Sequence, residues 1–225
     1  MTPEEAYRIA LKEYPSDEIR EIVCQDFYYT YLYAKWIDKG PSNDTRKVVC
    51  RDSRQAYYYA FYVDKCPNDI TRNAACKDCC WAYYYAKDVD KRPHDHTRES
   101  VCKNSEYAYM YAKDIDKCAR DDTREATLKT SWYAYLYARF IDRYPRDDTR
   151  EATCKDSISA YYYALYVDKC PRDDTREGAC KDPFCAYSYA RWIDNCSMDN
   201  TRSAASKDPH YRSLYSKHVT HGWIK

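Results

Sequence analysis

Thirteen cysteines, five histidines and recurring carboxylate pairs are the side chains of this 225-residue chain that could do chemistry. Cys24, Cys50, Cys76, Cys102, Cys154 and Cys180 share one register, which Leu128 and Ser206 occupy elsewhere. Soft metals favour sulfur, so converging thiolates could store copper or zinc. Packed helices lie about 8–10 Å apart, too far for neighbouring thiolates to share an ion, and the column reads as a small buried hydrophobe. A second column, Cys66, Cys118, Cys170 and Cys196, also accepts Gly40, Arg92 and Tyr144, as an exposed helix end would. Cys79-Cys80 lacks the spacing of a zinc site. His94 with His96, and His218 with His221, could hold metal only adventitiously. Pairs such as Asp121-Asp122 recur with the helix starts and read as structural. A catalytic site would interrupt a repeat once, in one place, and no copy carries such a break. Nucleotide-loop, dinucleotide and serine-hydrolase motifs are absent. The expectation is a non-enzyme with no catalytic residue, no metal site and no cofactor.

The elements that would position these residues follow from a repeat. Thr-Arg recurs at Thr45, Thr71, Thr97, Thr123, Thr149, Thr175 and Thr201, always 26 residues apart, and Ile19-Arg20 falls one step earlier in phase. Eight copies run without insertion or deletion, the signature of a stacked repeat architecture. Each copy reads as two helices. Asp148 with Glu151 has capping-box spacing for a short first helix, as do Asp122/Glu125 and Asp174/Glu177. Asp156-Ser157 caps a longer second helix, and Pro183 and Pro209 suit its first position. Ala160, Tyr163, Ala164 and Val167 form one apolar face of that helix from Ser157 to Asp168. Lys169-Cys170-Pro171 should end it, because proline disfavours helix in the residue before it.

The predicted fold is all-α, an α-solenoid of about eight 26-residue helical-hairpin repeats with capping ends. Residues 1–14 form an N-terminal capping helix opened by Thr2-Pro3-Glu4-Glu5, 15–200 the tandem repeats, and 201–225 a degenerate C-terminal cap. With only 3 glycines, the chain has few places to turn through positive φ.

Asp-x-Thr-Arg, Cys-Lys-Asp-Pro, Tyr-Ala and the final Asp, as in Asp174 to Asp194, resemble the leucine-rich-repeat variant and HEAT-like short helical repeats. The pattern is also similar to Tyr-Ala-rich repeats of phage and bacterial proteins. The period of 26, Thr for Val and Tyr for Leu depart from the former. The resemblance implies a curved stack of helix pairs and a role in protein interaction, and it carries no catalytic residues.

Comparing the copies with one another separates scaffold from surface. Arg follows the Thr position in all eight copies, and acids of the Asp142 and Asp147 type recur with it, so a buried ion-pair ladder is expected rather than a phosphate-binding one. Tyr33, Tyr59, Tyr85, Tyr111, Tyr137, Tyr163, Tyr189 and Tyr215 are invariant, and the residue two before is Tyr in seven copies. Two residues apart on a helix is about 200°, so the two columns should point to opposite neighbouring repeats.

Other long-helix positions vary and are rich in rings: Trp36, Tyr58, Phe61, Tyr62, Trp132, Phe140, Tyr162, Tyr166, Phe184 and Trp192 are the candidate partner-binding residues. The same positions hold Lys35, Arg139 and Leu165, and in the middle copies Lys87, Asp88, Lys113 and Asp114. Exposed aromatic and Arg side chains are the composition of interface hot spots. The alternative is that neighbouring short helices cover this face.

The leading expectation is therefore a repeat scaffold binding a protein of unknown identity, with self-assembly into dimers or filaments as the alternative. Charged residues total 32% with a net charge of +1, which argues against nucleic acid as a partner. No run approaches the ~20 apolar residues of a membrane span. The acidic, amphipathic start and the odd number of cysteines predict a reducing cytoplasm, and a disulfide scaffold suits shorter secreted chains.

Overall fold

A computed structural model describes residues 1–13 and 16–220. Seventeen α-helices and no strands occur among the described residues. The chain divides into two compact units, each a stack of helical hairpins of the solenoid type. Unit 1, Met1–Asp116, contains α1 (Pro3–Ala10), α2 (Asp17–Val23), α3 (Phe27–Trp36), α4 (Asn43–Val49), α5 (Ser53–Tyr59), α6 (Asp69–Ala75), α7 (Cys79–Tyr84), α8 (Asp95–Val101) and α9 (Ser105–Tyr111). Unit 2, Lys117–Lys225, contains α10 (Asp121–Thr127), α11 (Ser131–Tyr137), α12 (Asp147–Thr153), α13 (Ser157–Tyr163), α14 (Asp173–Ala179), α15 (Pro183–Tyr189), α16 (Asp199–Ala205) and α17 (Pro209–Tyr215).

The N-terminal helix α1 stops at Ala10, earlier than its sequence suggests, and is closed by a true capping box between Thr2 and Glu5. Tyr14 and Pro15, where that segment was expected to end, lie outside the described residues, as do His221 and the rest of the tail.

The short helices start earlier than the Asp-to-Glu spacing implies. Arg146, not Asp148, is the N-cap of α12, and its side chain caps nothing. Arg120 and Arg172 play the same part in α10 and α14. The physical reason is a hydroxyl supplied from the other helix of the hairpin. Tyr163 accepts the Arg146 N–H at 3.0 Å, donates to the Arg146 carbonyl and meets Thr149 Oγ1 at 2.9 Å. That bolt fixes the helix start, and Asp148 accepts instead from the Thr149 N–H. Earlier copies keep a side-chain cap as well, from Ser42, Asn68 and His94. The Thr and Tyr columns are one device: Tyr59, Tyr85, Tyr111, Tyr137, Tyr189 and Tyr215 close on Thr45, Thr71, Thr97, Thr123, Thr175 and Thr201 in the same way.

Asp156, Asp182 and Asp208 cap long helices as expected. Asp156 accepts from Ser159 N–H, and Pro183 and Pro209 stand in the first turn. Their second halves differ from expectation. After Tyr163 the backbone widens into a π-helical turn, Ala164–Asp168, and the same turn follows α5, α7, α9, α11, α15 and α17. Each of the first six of these turns is closed by a residue in the left-handed region, and Lys39, three residues beyond α3, adopts it too: Lys39, Lys65, Lys91, Lys117, Arg143, Lys169 and Asn195, with φ of 53–64°. Lys169 N–H reaches back to the Ala164 carbonyl. Proline is therefore not the terminator, since Lys117 and Asn195 end their helices without one. Scarcity of glycine does not prevent positive φ here; basic side chains and one Asn adopt it.

The widened turn aims an acid back at the short helix. Arg150 grips Asp168 with Nε and Nη2 at 2.9–3.3 Å, and the Asp168 side chain is 1% exposed. Arg20, Arg46, Arg72, Arg98, Arg124 and Arg176 hold Asp38, Asp64, Asp90, Asp116, Asp142 and Asp194 likewise. The predicted ion-pair ladder is present, and it closes within each hairpin. Only Arg202 departs, meeting Ser197 because position 220 is Thr.

Stacking buries rings between copies. In unit 2, Tyr189 packs back on Tyr161 and Ala164, with Ala179, Cys185 and Ile193 completing the cluster. In unit 1, Tyr111 packs back on Cys76, Ala82 and Ala86 of the copy before it. Tyr83 reaches the other way, to Asp114. The two Tyr columns thus face opposite neighbours, as their angular offset requires. Lysines add straps between copies: Lys181 Nζ donates to the Cys154 carbonyl at 2.7 Å, satisfying a helix-end acceptor.

Candidate functional site

The cysteine columns behave as structural positions. Cys76 is buried and its column mates are half-buried, while Cys66, Cys118, Cys170 and Cys196 are exposed. Burial raises the thiols of Cys50, Cys154 and Cys180 to about 11, which keeps them protonated. Among the described residues no cluster of three or more His, Cys, Asp or Glu side chains could hold a metal ion. No helix among them is long and apolar enough to cross a membrane.

The variable ring-bearing face is open. Trp36, Phe61, Tyr62, Trp132, Phe140, Tyr166, Phe184 and Trp192 are all 40–55% exposed. Neighbouring short helices therefore do not cover them. Tyr58 and Tyr162 are half-buried, one turn nearer the stack. Their rings bridge copies: Tyr58 stacks on Tyr31 at 6.0 Å and on Tyr62 at 6.1 Å, and Tyr162 stacks on Tyr135 and Tyr166, both at 5.9 Å.

Unit 1 assembles Tyr58, Phe61 and Tyr62 around Tyr31 and Tyr57, and Trp36 joins them through Lys35. Trp81, absent from the sequence-based set, joins them 5.5 Å from Tyr57 and 5.8 Å from Tyr58. Unit 2 assembles Trp132, Tyr162 and Tyr166 around Tyr135, with Trp132 at 5.2 Å. Phe140 meets the Arg139 guanidinium, and Phe184 meets Tyr211 at 5.7 Å.

Cations complete both clusters: Lys35 and Arg139, which the sequence places on this face but outside the candidate partner-binding set. Lys35 Nζ lies 3.7 Å from the centre of the Tyr62 ring and 5.0 Å from that of Trp36, and it donates to Tyr31 Oη at 3.0 Å. Arg139 lies 3.9 Å from the Tyr166 centre and 4.9 Å from Phe140, and it donates to Tyr135 Oη. Lys87 occupies the equivalent place but faces Asp114 at 3.6 Å, while Tyr83 Oη donates to the same carboxylate. Lys35, Lys87, Arg139 and Arg191 are each 52 positions apart. Lys113 and Lys217 stand in the same register, and the recurrence of a cation in six of the eight copies was the available signal. Burial holds the Tyr31 phenol up at about 12, so it stays neutral beside Lys35.

Between successive π-turns the surface dips. One groove is lined by Phe61, Lys65, Asp88 and Val89, and its counterpart in unit 2 by Leu165, Lys169, Trp192 and Ile193. Each faces the same side as the rings.

No protein-family model matches the chain, and neither a curated protein nor a solved structure does so.

Proposed function

We propose that the chain is a non-catalytic repeat scaffold that binds protein partners through the ring-bearing faces of its long helices. The observation that carries this reading is the exposure of eight large aromatic side chains on stacked, rigid elements. Apolar surface of this kind rarely stays bare on a monomer, and large rings on ordered helices lose little entropy on binding. The grooves between π-turns offer seats for partner side chains.

The test is partner capture by the full chain, read by quantitative co-purification from cells that express it. The pairs Trp36→Ala/Tyr62→Ala and Phe140→Ala/Trp192→Ala change one unit each and leave the Thr–Tyr and Arg–Asp contacts intact. Loss of partners by more than about tenfold, with helicity retained, supports the proposal. Undiminished capture by both variants overturns it. Light scattering across a concentration series separates self-association from capture of a different protein.

A further inference from the structure

We infer that each of these faces takes an acidic amphipathic peptide segment, whose carboxylate docks on Arg139 in unit 2 or, separately, on Lys35 in unit 1. The inference rests on the scaffold reading and specifies the chemistry of its partner.

Three positions one copy-pair apart give the argument. At Lys87 the cation meets Asp114, and its charge is neutralised within the protein. At Lys35 and Arg139 the residue in the Asp114 place is Tyr62 or Tyr166. Among the described residues neither cation has a carboxylate within ion-pair reach. A ring face and a phenol orient each of them without cancelling its charge. A guanidinium over a ring face, as Arg139 is over Tyr166, keeps its charge and N–H donors that can grip a carboxylate.

The charge pattern of unit 2 points the same way. The carboxylates of its long helices are either caps (Asp156, Asp182, Asp208) or buried partners of the Arg row (Asp142, Asp168, Asp194). Its other acids all lie on the short helices. The ring-bearing face thus offers cations and apolar surface together, which suits a helix with acids on one edge and Leu or Phe beside them. Nucleic acid fits less well. Tyr135, Tyr162 and Tyr166 already stack on one another, which engages faces that bases would need, and a net charge of +1 supplies little field for a phosphate chain.

Fluorescence anisotropy of the full chain tests this with three probes: a labelled amphipathic peptide of Glu, Leu and Phe, its Lys-for-Glu counterpart, and a thymidine oligonucleotide. Saturable, salt-sensitive binding of the Glu peptide alone is expected. The decisive variant is Tyr166→Asp, which rebuilds at Arg139 the neutralised arrangement that the chain carries at Lys87 and Asp114. It should weaken the Glu peptide about tenfold or more, and Asp114→Tyr should strengthen it by exposing Lys87. Equal binding of the Lys peptide, preference for the oligonucleotide, or indifference to Tyr166→Asp overturns the inference. Should the alanine pairs abolish partner capture while the Glu peptide fails to bind, the scaffold reading stands and the acidic partner does not.

Discussion

Five arginines of the row, Arg72, Arg98, Arg124, Arg150 and Arg176, each hold two carboxylates in different surroundings. Arg150 meets Asp168, which is buried, and Asp147 at 2.6 Å, which is fully exposed. The exposed contact contributes little, as surface pairs do. The buried one is different, because removing one partner strands the other charge away from water. Arg150→Ala is expected to cost about 3–5 kcal/mol of unit 2 stability, read by urea unfolding, while Asp147→Ala should change it by less than about 1 kcal/mol. Equal costs for the two would show that the pair inside the hairpin is not what holds it shut. This ladder was legible in the sequence, since the acids keep the period of the Arg. The Thr–Tyr bolt was not, since two hydroxyl columns fourteen positions apart carry no mark of being one contact.

At the scale of the element, the helix ends were misread for a physical reason. Asp148 and Glu151 mimic a capping box, yet the start is set by Tyr163 reaching across the hairpin. The left-handed residue escaped notice because Gly or Asn usually marks it, and here only Asn195 does. A side chain in that region costs about 1 kcal/mol or more, so Lys169→Gly should stabilise unit 2 by roughly 1 kcal/mol despite glycine's greater freedom when unfolded. A fall in melting temperature would contradict that. Gly178 behaves oppositely. A Cβ there would stand 2.8 Å from Ala160 Cβ and 3.1 Å from Cys154 Cα, where two helices approach closest. Gly178→Ala gains about 1 kcal/mol of helix propensity but meets an overpacking cost of about 1–3 kcal/mol. Thermal melts should show it neutral to destabilising, although Ala126 and Ala152 fill the same register elsewhere. The openness of the aromatic face was beyond sequence, because an i, i+4 row of rings looks alike whether covered or bare. The meeting of Arg139 with Tyr166, one residue more than a full copy away, needs the stacking itself.

Across the whole molecule, a core built of Tyr and Cys makes base the natural denaturant. Burial raises Tyr31, Tyr85 and Tyr161 from 10.0 to about 12, and Cys76 and Cys185 from 9.0 to about 12. For an acid whose folded pKa is raised, stability is fully present below the unfolded value and is lost as pH rises towards the folded one. The fold should therefore hold to about pH 9 and then lose stability progressively up to about pH 12. Helicity and tyrosinate absorbance followed together should change in one step. Ionisation of most tyrosines with helicity intact would mean that the rings are not buried as described.

The bolt and the ion pair both close inside a single hairpin, and this bears on how such a chain can change over generations. Recombination that adds or drops one whole hairpin repeat brings or removes each buried charge together with its counterpart and each hydroxyl with its mate. Copy number is then free to drift, while the outward rings, bound by no such pairing rule, are free to diversify.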